Sequence, residues 1–197
     1  PLVFDLDGDG IELVRLSQSL AYFDVDSDGA AELTAWVSPD DAILSIDWNL
    51  NGRIDSADEL FGYGTTFSGA NGVANLLAGF EDGGRLLGDG QLDIRFTSGF
   101  DRLAELDLNQ DGVIDSLDTF YNSLRAWRDL NGNGISEADE LFGLNESGIA
   151  SINLAAVRGD RPIADSIITD TGSYVTTDGQ TREVSYVWFR FSQFDVA

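Results

Sequence analysis

Five short stretches of this chain crowd carboxylates and amides onto alternate residues just ahead of a glycine. Side chains so close repel one another unless a cation sits among them, and this is the spacing that wraps oxygen ligands around calcium. The third stretch, DWNLNGRIDSADE, runs Asp47, Asn49, Asn51, Gly52, then apolar Ile54, Asp55 and, at the twelfth position, Asp58. The fourth, DLNQDGVIDSLD, offers Asp107, Asn109, Asp111, Gly112, Ile114, Asp115 and Asp118, and the fifth, DLNGNGISEADE, offers Asp129, Asn131, Asn133, Gly134 and Glu140. Position seven of such a loop lends its main-chain carbonyl, here that of Arg53, Val113 and Ile135. The string Asp-Glu-Leu-Phe-Gly recurs at 58–62 and 139–143, and aligning the copies matches Glu59 to Glu140. Spacing alone therefore leaves open whether Asp58 or Glu59 closes the third loop.

The first two stretches are half-matches. Asp5, Asp7, Asp9 and Gly10 follow the apolar PLVF, and Asp24, Asp26, Asp28 and Gly29 follow LAYF, both reading as a strand running into a loop. Their twelfth positions are Leu16 and Ala35, although Glu12 and Glu32 lie nearby.

The charge agrees with bound cations. Asp and Glu number 35 against 11 basic residues, all of them Arg, for a formal net charge of -24. Such a chain is a poor partner for nucleic acid and for anionic membranes, and without counter-ions it resists compaction. Its hydrophobic content of 43% is nevertheless that of a globular domain rather than an acidic tail. Cys, His, Met and Lys are all missing, which removes thiolate and imidazole zinc sites, Cys or Ser-His nucleophile systems, Schiff-base chemistry within the chain and the Met-rich groove of a calmodulin-like sensor. No apolar run approaches the roughly 18 residues of a membrane helix. With disulfides excluded and calcium as the stabilising ion, the expected setting is outside the cell, and the missing initiator Met reads as a module of something longer.

The expected fold is α+β, one compact calcium-stabilised domain over 1–197. A β-rich part with acidic loops covers 1–62, and a β-hairpin part covers 144–197. Between them, Leu117, Phe120, Tyr121, Leu124 and Trp127 fall at helical spacing, predicting one helix that leaves the fourth loop and enters the fifth. With FDRLAEL entering and EADELFGL leaving, 98–143 reads as a paired EF-hand-like helix-loop-helix unit. GIASINLAAV reads as a strand, and SYVTTDGQTREVSYVWFRF as a hairpin turning at Asp178-Gly179. The Gly-rich stretch from Gly62 reads as an extended loop with a short helix near Val73 to Leu77. Trp36, Trp48, Trp127 and Trp188 are expected in the core, and Asp40-Asp41 at a turn or helix cap rather than as a catalytic pair.

Taken in order, PLVFDLDGDGIEL, FDVDSDG, AWVSPDDAIL, DWNLNGRIDSADELFG, LRAWRDLNGNGISEADELF, GIASINL and GSYVTTDG with a following VWF resemble the self-processing module of iron-regulated RTX proteins, and related modules of large secreted RTX toxins and adhesins. The resemblance covers nearly the whole chain; the Gly-rich insertion around Glu81 to Asp93 and the missing Lys depart from it. It implies calcium-triggered autocatalytic cleavage of an Asp-Pro bond. The aspartate carboxylate attacks its own carbonyl, the prolyl nitrogen leaves, and the anhydride is taken by water or by a lysine amine as an isopeptide. Pro39 follows Ser38 and Pro162 follows Arg161, so the scissile bond would be the one before Pro1, with Pro1 on the leaving-group side.

Two function classes therefore stand side by side: an autoprocessing, protein-joining module, and a calcium-rigidified structural or ligand-binding module of a large bacterial adhesin. Both take three to five calcium ions. Both imply a secreted or cell-surface protein, monomeric as an isolated module, with lysine amines of other proteins or cell-surface ligands as partners.

Overall fold

The computed structural model describes residues 1–25, 27, 29–62 and 98–196. Among them the chain is nearly all β. The strands are β1 (Leu2–Phe4), β2 (Leu13–Val14), β3 (Tyr22–Phe23), β4 (Ala31–Thr34), β5 (Trp36–Val37), β6 (Ala42–Ile46), β7 (Val113–Ile114), β8 (Leu124–Trp127), β9 (Leu141–Gly143), β10 (Ile149–Asn153), β11 (Val157–Ile163), β12 (Ser166–Thr176), β13 (Thr181–Trp188) and β14 (Phe191–Val196). One α-helix is described, α1 (Gly99–Ala104), capped by Ser98 Oγ, which accepts the Asp101 N–H at 3.3 Å.

The main antiparallel sheet runs β7-β10-β12-β13-β1-β6-β8-β9, with β11 also paired to β12. Its central strands are buried on both faces, so their side chains divide by alternation between two cores. Leu2, Phe4, Ala42, Leu44, Ile46, Leu124 and Ala126 face one core together with Phe100 and Leu103 of α1. Val3, Ile43 and Trp127 face the other, with Phe23 and Trp36. Trp36, Trp127 and Phe23 form a ring cluster with centroids 5.4 to 5.7 Å apart. Truncating such a fully buried Trp to Ala costs about 3–5 kcal/mol.

This architecture overturns the α+β expectation and the paired EF-hand-like unit. The helix expected between the fourth and fifth loops is a 3-10 turn, Tyr121–Ser123, followed by β8, which pairs with β6 in the register Ile43↔Trp127 to Ile46↔Leu124. Leu124 and Trp127, counted as one helical face, lie in opposite cores, and Leu117 is 77% exposed. A short apolar run fits either period, and pairing with a buried strand decides it. The segment expected to leave the fifth loop as a helix becomes β9, so this loop closes a hairpin. The β10 strand and the β12–β13 hairpin form as read, with Gly179 at φ 84 in the turn. Trp36, Trp48 and Trp127 are buried, whereas Trp188 is 46% exposed. The helix expected near Val73 to Leu77 lies outside the described residues.

Candidate metal centre

All five acidic loops share one backbone device. The fourth position has positive φ in each (Gly8, Ser27, Leu50, Gln110 and Gly132), and so has the sixth (Gly10, Gly29, Gly52, Gly112 and Gly134). Ser27, Leu50 and Gln110 are non-Gly residues with φ of 59 to 61, a left-handed conformation that persists only where surroundings over-determine it.

The third, fourth and fifth loops share three sets of bonds. Asp47, Asp107 and Asp129 each accept the N–H of the glycine at position six through Oδ2, at 2.8, 2.9 and 2.7 Å. Asn49, Asn109 and Asn131 accept the N–H of position five. Asn51, Asp111 and Asn133 accept the N–H of Arg53, Val113 and Ile135.

The carboxylate that folds back over the third loop belongs to Glu59. Its Oε2 accepts the Asp55 N–H at 2.9 Å, as Asp118 accepts from Asp115 and Glu140 from Glu137. Glu59 Oε1 and Asp118 Oδ1 are buried and take no hydrogen bond. Burial raises the carboxyls of Asp118 and Glu140 and pushes Glu59 up to about 7. Buried, crowded, partly unpaired carboxylate oxygens are a donor set that suits a hard cation such as calcium. Asp58 points elsewhere, with its carboxyl beside Asp24 and Ser27 and its carbonyl accepting from Arg102.

The first half-matched loop is joined by a carboxylate from outside its own segment. Carboxylate oxygens of Asp5, Asp7 and Asp41 lie within 4.8 Å of one another. Asp41 is buried beside the first loop, accepts the N–H groups of Leu6 and Glu12, and is pushed up to about 7 by burial. Tyr174 Oη donates to the Asp5 carbonyl at 2.6 Å. Asp9 is exposed, its carboxyl raised by a hydrogen bond with Asp7. At the second loop, buried Glu32 accepts the Val25 N–H, and Asp24 accepts from Gly29. Asp26 and Asp28 lie outside the described residues. Loop spacing could not have pointed to Asp41, because it reaches the first loop only through the β1–β6 pairing.

Pro1 sits at a cavity of about 140 Å³ lined by Phe23, Val25, Trp36, Ala57, Leu60 and Trp188 among others. Its carbonyl accepts the Val187 N–H at 2.8 Å. Burial, with the Arg102 guanidinium nearby, lowers the Pro1 amine to about 5. Arg102 itself is buried and donates to the carbonyls of Leu60 and Asp58. Neither Asp40 nor Asp41 lines this cavity.

A nearly all-β chain with five acidic turns thus presents oxygen donor sets of the kind that suit a hard cation. Residues 2–190 match the SPM domain, and the chain belongs to that family. It is also 39% identical, over 186 residues, to the iron-regulated protein FrpA of Neisseria meningitidis serogroup C. That alignment takes in 93% of this chain and 15% of the relative, so the chain spans a small part of the relative's length. Both matches support the link to the iron-regulated RTX proteins. No helix among the described residues is long and apolar enough to cross a membrane.

Proposed function

We propose that this chain is a calcium-folded module of a secreted or cell-surface RTX-type protein, and that it breaks the peptide bond on the amino side of Pro1 where an aspartate precedes it. The observation that carries this reading is the make-up of the Pro1 cavity. Phe23 and Val25 flank Asp24 of the second loop, Ala57 is position eleven of the third and Leu60 follows it, and Trp36 is bonded to Asp129 of the fifth. Ordering those loops therefore shapes the surroundings of the bond. Calcium, when bound, supplies the charge that neutralises the crowded carboxylates and the coordination that fixes each loop.

The chain's own residues then hold the reacting groups. Val187 N–H fixes the Pro1 carbonyl, and a largely apolar wall lines the space beside Pro1. An Oδ atom of the aspartate carboxyl bonds to its own carbonyl carbon, the C–N bond to proline breaks, and the nitrogen takes the proton that the carboxyl gives up. Burial lowers the released Pro1 amine to about 5, so it leaves as the neutral amine near neutral pH. The cyclic anhydride left behind opens with water, or with a lysine amine to give an isopeptide. This chain has no Lys, so a joining amine comes from other residues or another molecule.

The test is a longer chain carrying the native residues before Pro1. With an aspartate there, calcium should release a fragment beginning at Pro1, seen by mass spectrometry, and asparagine in its place should suppress prompt cleavage. A longer chain that binds calcium, folds and stays whole overturns the reading in favour of a rigid adhesin spacer.

A further inference from the structure

We propose that Trp36 is the positioning residue through which the fifth acidic loop sets the cavity at Pro1, an inference that rests on the cleavage reading. Asp47 and Asp107, half-buried, accept hydrogen bonds from the amides of their own loops. Asp129 is different. It is fully buried, Gly132 and Asn133 donate to its Oδ1, and its Oδ2 accepts both Gly134 N–H and Trp36 Nε1–H, each at 2.7 Å. One carboxylate oxygen thus joins the sixth position of the loop to an indole from another part of the chain.

That indole is a wall of the cavity. Trp36 is 1% exposed, with ring centroids 5.4 Å from Phe23, 5.3 Å from Phe189 and 5.4 Å from Trp127. Phe23, Phe189 and Trp36 all line the space at Pro1. A ring packed on its faces and tethered at its nitrogen has no free rotamer, so a change in the Asp129 carboxylate must move the wall or break a buried charge-assisted bond. Trp36→Phe keeps an aromatic wall and removes the donor.

The coupling is measured by a double-mutant cycle with Glu140→Gln, which disables closure of the fifth loop, at calcium concentrations that fill the other loops. The readout is hydrogen exchange of the Val187 amide, which is bonded to Pro1. Glu140→Gln should speed that exchange about tenfold in the otherwise native chain, the size of one hydrogen bond to a charged group. In the Trp36→Phe chain it should change little. An equal effect in both backgrounds overturns the proposal.

If Trp36→Phe loses the sheet, as read by the Ile43 amide, Glu140→Gln alone decides. Joint loss of protection at Gly134, the Trp36 indole N–H and Val187 supports the coupling, and loss at Gly134 alone, or at none of them, overturns it. In the longer chain, Trp36→Phe should slow calcium-dependent cleavage about tenfold while Gly134 still responds to calcium. A native longer chain that does not cleave overturns the cleavage reading, and the exchange cycle still reports on Trp36.

Discussion

Asp58 and Glu59 are adjacent in sequence yet serve different loops. Glu59 reaches back to the Asp55 N–H with one oxygen and leaves the other buried and unpaired, whereas Asp58 faces Asp24 across to the second loop. Glu59→Gln should therefore remove calcium binding at the third loop, while Asp58→Asn should spare that loop and weaken the second. Calorimetric titration with the Gly52 amide as a local reporter separates the two; the same loss at Gly52 in both variants would contradict the assignment. Protonation gives a second prediction. Asp41 and Glu59 hold their protons to about 7 when folded, against about 4 when unfolded. Between those values the folded, metal-free chain binds more protons, so its stability falls as pH rises from about 4 to about 7 and then levels. The Pro1 amine, lowered from 8.0 to about 5, works the other way, one group against two. Urea midpoints of metal-free protein should be higher at pH 5 than at pH 7.5, and a midpoint that climbs over this range would contradict the shifts. At this scale the sequence displayed the loop donors, because their spacing is local. Asp41 and Trp36 stayed hidden because their contacts depend on strand pairing and on bonds between distant segments.

Among the elements, the third loop meets two others: the second, through the Asp24–Ser56 bridge, and the fifth. Ser136, at position eight of the fifth, accepts the Ile54 N–H at 2.7 Å and donates to the Ile54 carbonyl at 3.0 Å, and Ile54 is position eight of the third. The fourth loop pairs elsewhere, through β7 with β10. The sequence reading joined the fourth and fifth through a shared helix because 117–127 carries apolar residues at helical spacing. Once β8 lies between β6 and β9, those residues serve two faces and the link disappears. The strands of the first segment and the β12–β13 hairpin were legible because alternation and an Asp-Gly turn act locally. Ser136→Ala should leave the Ile54 backbone N–H and C=O buried without partners, destabilising the chain by about 2 kcal/mol. It should also weaken calcium binding at both the third and the fifth loop. Asp107→Ala, in contrast, should leave the fifth loop's affinity unchanged. Titrations that follow the Gly52, Gly112 and Gly134 amides would show which loops respond together, and a response of Gly134 to Asp107→Ala would restore the discarded pairing.

For the molecule as a whole, the balance lies between two well-filled apolar cores and a net charge of -24. The cores favour compaction, yet the acidic loops hang from the ends of the same strands, so folding the sheet brings carboxylates together. Five divalent ions would offset about 10 of those charges, exchanging repulsion at the loops for ion bridges. Arg15–Asp165 and Arg161–Glu183 are both partly exposed surface pairs, and such pairs contribute little. On the proposed calcium reading, cation binding would be the contribution that decides whether this chain folds. Calcium added to chelator-treated protein at low ionic strength should produce a cooperative thermal transition whose midpoint rises with calcium concentration, and a circular dichroism spectrum of strand rather than helix. A gain of strong helical signal would contradict the all-β sheet. An unchanged cooperative transition in chelator would instead mean that the two cores overcome the charge unaided, leaving the loops as ligand sites on a scaffold that folds without them.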